Sequence, residues 1–290
     1  MAGRATPRGK GGRIRAGIAG WTFAPWRGVF YPPGLKQKDE LRHAARALTT
    51  LEVNGTFYAM QKPATFAAWD AETPEGFVFS LKAPRFITHM KRLKDCAAPL
   101  ANFLASGVLR LGPKLGPILW QLPPNLPFEA ERMEAFLSLL PHDRKAAAAL
   151  AARHEERMEG RAFLDPGAPG PVRHAVEPRH PSFADPAAVA LFRRHDVALA
   201  ITDGIPDWPR FRELTADFAY LRLHLSAEQA EGGYRPEEIA AWAVQAEAWA
   251  AEGHDVFAYF DAAGDETVKL HTPANAGAFL KRLGHHSEPG

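Results

Sequence analysis

The stretch Arg173-His174-Ala175-Val176-Glu177-Pro178-Arg179-His180-Pro181 puts a carboxylate, a guanidinium and an imidazole at the end of a short strand-like run. Side chains of a strand alternate faces, so Glu177 and Arg179 share one side and His174 and His180 the other. Pro178 and Pro181 cannot continue a central strand, so the strand stops there. Glu177 has the chemistry of a general base, and Arg179 that of a fork for phosphate or carboxylate. The plain alternative is an ion pair that orders a loop. The same kind of ending recurs along the chain. Glu52 and Asn54 fall on one face at 51–54. Lys82 closes 77–82, with Arg85 and His89 close behind. Gln121 stands near the end of 115–122, and Asp203 follows 197–201. Arg222 and His224 share a face of 217–225, and Asp261 follows 255–260. A lysine at a buried strand end is costly unless it is paired or put to use.

The elements that position these ends come from periodicity. Apolar or alternating runs at 14–20, 51–54, 77–82, 115–122, 173–176, 197–201, 217–225 and 255–260 read as strands. Amphipathic stretches at 35–48, 63–69, 97–109, 128–140, 143–158, 185–195, 236–252 and 272–283 read as helices, with Pro63, Pro186 and Pro236 in first turns and Asp185 as a cap. Strands alternating with helices imply a parallel sheet, and eight such units at this length imply a single-domain α/β (β/α)8 TIM barrel over 14–283. A doubly wound open sheet is the alternative, but no glycine-rich phosphate fingerprint follows the first strand. In a barrel the chemistry sits at the C-terminal strand ends, where all these polar residues converge. The loop 21–33 carries five aromatics, Trp21, Phe23, Trp26, Phe30 and Tyr31. Either they wall a ligand pocket or they anchor a long loop, and the second reading is favoured for most of them.

The 290 residues, 46% hydrophobic, can bury a large core, and a net charge of +2 is too balanced to announce a nucleic-acid binder. The single cysteine, Cys96, rules out an intrachain disulfide and fits a reducing cytoplasm. No apolar run approaches the roughly 18 residues of a membrane span. Residues 1–13, with Arg4, Arg8, Lys10 and Arg13 among Gly and Pro, read as a disordered basic tail rather than a signal peptide, and 284–290 as a flexible end.

Several motifs together resemble one family. They are Gly17-Ile18-Ala19-Gly20-Trp21 with Trp26-Arg27-Gly28-Val29-Phe30-Tyr31-Pro32; Glu52-Val53-Asn54-Gly55-Thr56-Phe57-Tyr58; Phe79-Ser80-Leu81-Lys82-Ala83-Pro84-Arg85 with Thr88-His89; Gln121-Leu122-Pro123-Pro124; Glu177-Pro178-Arg179-His180-Pro181-Ser182-Phe183; and Tyr220-Leu221-Arg222-Leu223-His224. On them the chain is similar to the YecE-like family, a domain of unknown function. The resemblance implies a TIM barrel across nearly the whole chain and carries no settled activity. Leu225 stands where the family often has Gly, and Asp261-Ala262 where it often has Asn-Asn.

Chemistry then rests on residue types. The first reading is an enzyme acting on a phosphorylated or carboxylated small molecule without a cofactor. Arg179 and Arg222 fork onto the anion, and Lys82 adds a point charge or acts as a nucleophile. Glu52 or Glu177 is the base and His224 the acid, while Trp21, Asn54, Arg85, His89, Gln121, His180, Asp203 and Asp261 line the site. A second reading is a metal-dependent phosphodiester or nucleic-acid hydrolase using Glu52, Glu177, His180, Asp203 and His224. No metal motif supports it, because the spacing of three between His174, Glu177 and His180 does not align on a strand. A third is a non-catalytic scaffold that docks through the aromatic loop. Trp69, Trp120, Trp242 and Trp249 are expected in the core, and Cys96 is expected to be an inert thiol. The alternative for Glu177 with Arg179, and for Arg222 near Glu52, is that they are paired charges holding the barrel closed.

Overall fold

The computed structural model describes residues 11–203, 205–224, 233–262 and 266–285. In the first strand, β1 (Ile14–Ala19), Ala16 and Ile18 join the outer core, so Arg15, Gly17 and Ala19 take the opposite face. The strands that follow are β2 (Thr50–Val53), β3 (Val78–Lys82), β4 (Leu115–Gln121), β5 (His174–Glu177), β6 (Ala198–Leu199), β7 (Ile201–Thr202), β8 (Phe218–His224) and β9 (Asp255–Asp261). They form one parallel sheet in the order β6-β5-β4-β3-β2-β1-β9-β8-β7. The single strand expected over 197–201 is split at Ala200, whose N–H donates to Val176 O at 2.8 Å. β6 and β7 are therefore one stave, pairing with β5 on one side and β8 on the other, and the sheet rolls round into a (β/α)8 barrel.

The helices are α1 (Glu40–Ala47), α2 (Gly55–Tyr58), α3 (Pro63–Ala71), α4 (Ala97–Ala105), α5 (Ala130–Leu137), α6 (Arg144–Ala151), α7 (Pro186–Arg194), α8 (Pro236–Ala251) and α9 (Glu266–Arg282). Their apolar faces, with Leu41, Leu100, Phe136, Phe192 and Phe279, bury against the outward side chains of the staves. Burying side chains of this size contributes about 1.5–3 kcal/mol each, before chain entropy is counted. Trp120 and Trp249 lie in this layer, and Trp69 and Trp242 pack against it. α7 starts as expected, with Asp185 Oδ1 accepting from Ala187 N at 2.8 Å.

Among the helices whose extent differs from the sequence reading, α1 starts at Glu40 rather than at 35. α4 stops before Gly107, whose φ of 119° only glycine adopts readily. α6 ends at Ala151, short of the expected 158. α9 begins at Glu266, upstream of 272, and carries Pro273 inside it. A proline in a helix leaves the carbonyl four residues back without its N–H. That carbonyl is Lys269 O, and it accepts from Trp26 Nε1 at 2.9 Å and Thr272 Oγ1 at 2.9 Å. The aromatic loop is thereby fastened to the last helix, with Trp26 and Tyr31 fully buried.

The inward faces are layered. Val78, Phe218 and Phe257 form part of an apolar cluster, with Leu119, Ala175, Ala198, Ala200, Tyr220 and Tyr259 in the same cluster. Buried hydroxyls need partners. Tyr259 OH finds Ser80 Oγ at 2.6 Å and Thr50 Oγ1 at 2.9 Å, and Tyr220 OH donates to Glu52 Oε2 at 2.8 Å. One more step along each stave brings the charged layer. Residues 1–10 of the expected basic tail and the end beyond His285 lie outside the described residues. Gly12 N donates to Ala250 O at 2.7 Å, so the barrel holds the chain from there. Among the described residues no helix is long and apolar enough to cross a membrane.

Candidate functional site

Strand alternation puts Glu52, Lys82, Gln121, Glu177, Arg222, His224 and Asp261 inside the C-terminal mouth. Each continues the face of an inner residue two positions earlier, as Tyr220 precedes Arg222 and Tyr259 precedes Asp261. Arg222 is the hub, with no exposed surface. Its Nε donates to Glu52 Oε2 at 3.0 Å and its Nη2 to Glu52 Oε1 at 2.8 Å. Nη1 donates to Glu177 Oε2, and Nη2 also to Asp261 Oδ2. Glu177 Oε1 accepts from Gln121 Nε2 at 3.0 Å and from Arg179 Nε at 2.8 Å.

Burial opposes the charge of Glu177, and Arg222 and Arg179 override it, holding its pKa well below the carboxylate range. Asp261 is likewise opposed by burial, yet Arg222, His224 and Lys82 bring it down to about 2. Arg222 resists its own burial through Glu177, Glu52 and Asp261, which raise its pKa well above the usual value. Such a cluster survives burial because each carboxylate is hydrogen-bonded to a guanidinium and Lys82 supplies the third positive charge nearby.

Lys82 and His224 differ in having no side-chain hydrogen bond among the described residues. Lys82 is 8% exposed and, among the described residues, its ammonium has no hydrogen bond or ion pair. It stands 4.4 Å over the Phe57 ring. Burial, then Arg222, lowers its pKa to about 8, against the pull of Glu52, Asp261 and Glu177. His224 is fully buried, and neither ring nitrogen has a hydrogen bond. Nε2 lies 3.7 Å from Glu177 Oε2 and Nδ1 3.8 Å from Asp261 Oδ2. Beside Lys82, His89 holds Thr88 Oγ1 through Nδ1 at 2.8 Å. Burial, with Arg179, Lys82 and Arg85, lowers its pKa to about 4.

The other expected site residues have different surroundings. Asp203 faces away from the cluster. It accepts from Tyr234 OH at 2.8 Å, Trp242 Nε1 at 3.2 Å and His224 N at 2.8 Å, so it latches α8 to the end of β8. The reason is alternation: Ala198 and Ala200 point inward, so Thr202 follows them and Asp203 cannot. His180 caps a short turn, its Nδ1 accepting from Ser182 N at 3.2 Å. Trp21 packs edge-on against Trp69 at 5.5 Å. Arg85 is exposed, and the buried Asn54 Oδ1 has no hydrogen bond. Arg222 is not offered to the mouth as a fork, because its donors are committed to carboxylates. Three participants were missed: Tyr220, Phe57 and Trp208. Trp208 lies 4.0 Å under Arg179 and 5.3 Å from the His224 ring. Tyr220 could have been read from its place two before Arg222, whereas Trp208 sits where no periodicity points to it.

Residues 15–289 match the family described as "Protein of unknown function DUF72". The chain belongs to this family. The UPF0759 proteins YecE of Escherichia coli strain K12 and of E. coli O157:H7 are each 30% identical to it over 129 residues, 44% of this chain and 44% of theirs. The chain thus matches less than half the length of these curated relatives. A DUF72 family protein of Thermotoga maritima superposes with a TM-score of 0.71 at 23% identity, covering 94% of this chain and all of the other. Another from Enterococcus faecalis V583 gives 0.66 at 16%, covering 96% and 98%. These likenesses establish the DUF72 barrel. Among the described residues no group of three His, Cys, Asp or Glu is arranged to hold a metal ion. In this DUF72 chain the convergent carboxylates meet around a guanidinium instead.

Proposed function

We propose that the C-terminal mouth binds a small phosphorylated or carboxylated molecule and carries out acid–base chemistry on it. The observation that carries this reading is Lys82, a nearly buried ammonium without a hydrogen bond or ion pair among the described residues, at the edge of a layer whose three carboxylates are already held by guanidiniums. Arg179 and Arg85 share its neighbourhood, since both act on His89. An anion seated there would meet Lys82 and the exposed Arg85, neither of which has a hydrogen bond or ion pair among the described residues. Phe57 and Arg85 also line a groove of about 390 Å³ with Tyr58, Met60, Phe86 and Met90, room for an apolar part of the same molecule.

Glu52 and Glu177 serve as counter-ions in this reading, because guanidiniums hold their oxygens. Proton transfer falls to Lys82, poised near neutrality, and to His224, whose buried nitrogens await a partner. The metal-hydrolase reading would need these carboxylates to leave Arg222. For the docking reading, Trp26 and Tyr31 are buried, while Trp21, Phe23 and Phe30 are half-buried. The test is calorimetric titration with phenyl phosphate, an anion carrying an apolar ring. Lys82→Met should weaken binding about tenfold or more. Equal affinity in wild type and in a Lys82→Met, Arg179→Met double variant would remove the proposal.

A further inference from the structure

The opposite end of the barrel holds a cavity of about 120 Å³ that the mouth chemistry does not use. Arg15, Arg144, Arg173, Asp255 and Phe257 are among its lining residues, which include three guanidiniums and one carboxylate. That carboxylate is already engaged. Asp255 Oδ2 accepts from Arg173 Nη1 at 2.7 Å, and Oδ1 from Arg13 N at 2.8 Å. Arg173 is further matched by Asp217 at 3.2 Å, but its buried Nε has no hydrogen bond. Arg144 is 6% exposed. Its Nη1 donates to Ala168 O at 3.0 Å and its Nη2 to Gly112 O, and its Nε is buried without a hydrogen bond. Arg15, on the inward face of β1, stands over the Phe257 ring, 5.6 Å from its centroid. Among the described residues no hydrogen bond or ion pair reaches its guanidinium. Burial lowers the Arg15 pKa; Asp255 and Tyr259 oppose that, and Arg13 and Arg173 add to it.

We infer that this cavity is a second binding site, for a single tetrahedral oxyanion of the phosphate or sulfate class, held chiefly by Arg15 with Arg173 and Arg144 beside it. The charge count favours an anion, since the lining carries an excess of guanidinium that no carboxylate of the cavity is free to answer. Guanidinium is the side chain best matched to a tetrahedral oxyanion. Size narrows the class: about 120 Å³ has room for one such ion and is well below the roughly 300–1,000 Å³ of pockets that bury larger ligands. The site is independent of the mouth, lying at the other end of the same staves. An ion there would tie β1 to the start of β5 and β9 and so stabilise the closed barrel by mass action.

The experiment is a tungstate soak of crystals of the full chain, with anomalous data, on wild type, Lys82→Met and Arg15→Met. The expected result is a peak beside Arg15 and Arg173 in the first two and none in the third. Competition with phosphate and with sulfate, read as loss of that peak, then tells which ion the site prefers. In solution, phosphate should raise the Tm of Lys82→Met but not of an Arg15→Met, Lys82→Met double variant. A wild-type cavity empty of tungstate overturns the inference even if Arg15→Met fails to fold. So does a peak of undiminished height in Arg15→Met.

Discussion

Arg222 grips Glu52 with two parallel hydrogen bonds, 3.0 Å and 2.8 Å long, and neither side chain has any exposed surface. Removing the guanidinium leaves Glu52, Glu177 and Asp261 facing one another out of water. Arg222→Leu should therefore lower stability by about 3–5 kcal/mol in urea unfolding. Adding Glu52→Gln and Glu177→Gln to that variant should restore part of the loss. A loss below 1 kcal/mol in the single variant would mean that water reaches the cluster and screens it.

The same cluster sets an acid limit. Asp261 protonates near 3.8 in the unfolded chain and near 2 when folded, and Glu177 is also held below its usual value of 4.5. As pH falls through this range the unfolded state binds more protons, so stability is full above the unfolded values and is lost toward pH 2. Asp261→Asn should flatten part of that slope in acid-unfolding curves, since the amide oxygen still accepts from Arg222.

Lys82 works at the other end of the pH scale. Its ammonium releases its proton near 8 when folded and near 10.5 when unfolded. Between these values the unfolded state holds more protons, so stability rises with pH, and Lys82→Met should abolish that rise. Affinity for phenyl phosphate should fall over the interval just above pH 8 as the charge is lost. Lys82→Arg should hold its affinity there, because guanidinium stays protonated. Titrations at pH 7 and 9 on both proteins decide the matter.

His89 reports on the same anion. Free, its imidazole should stay neutral down to about pH 4, where burial and three cations have pushed it. Bound anion offsets those cations, so the His89 resonances in an NMR titration should move to a higher pKa with phenyl phosphate. An unmoved pKa at saturation would place the anion elsewhere.

How much of this was legible in one dimension depends on what alternation can carry. Glu52, Lys82, Glu177, Arg222 and Asp261 could be picked out because each ends a strand on the face of small or polar inner residues. The barrel followed from eight such units. Partnership was legible only as an alternative: Arg222 and Glu52 are 170 residues apart, and their pairing as charges that hold the barrel closed stood beside the reading of Arg222 as a fork for a ligand. Asp203 misled because it follows a strand as the others do, although the Ala198 and Ala200 pair marks it as outward. The upstream start of α9 was hidden by Pro273, which reads as a first-turn residue until the Trp26 indole is seen to replace the missing donor.

That replacement can be measured. Trp26→Phe should cost about 1 kcal/mol for the lost hydrogen bond to Lys269 O. In a Pro273→Ala background the restored helical N–H supplies that carbonyl, so Trp26→Phe should cost less. A double-mutant cycle in urea reads the difference, and an additive result would separate the loop from the proline.

The seam between β1 and β9 also governs when the protein can come into being. Ile18 aligns with Leu51 on one side and Phe260 on the other, and the Trp26 indole reaches a carbonyl 243 residues away. A chain emerging from the ribosome at about 5–20 residues per second keeps the first strand edge waiting through nearly the whole of synthesis. Loop closure over that span comes late and slowly, with open strand edges exposed to other chains meanwhile. A truncation that removes Asp255–Asp261 deletes the closing stave rather than a peripheral one, and a nascent chain halted before it is the species most exposed to aggregation.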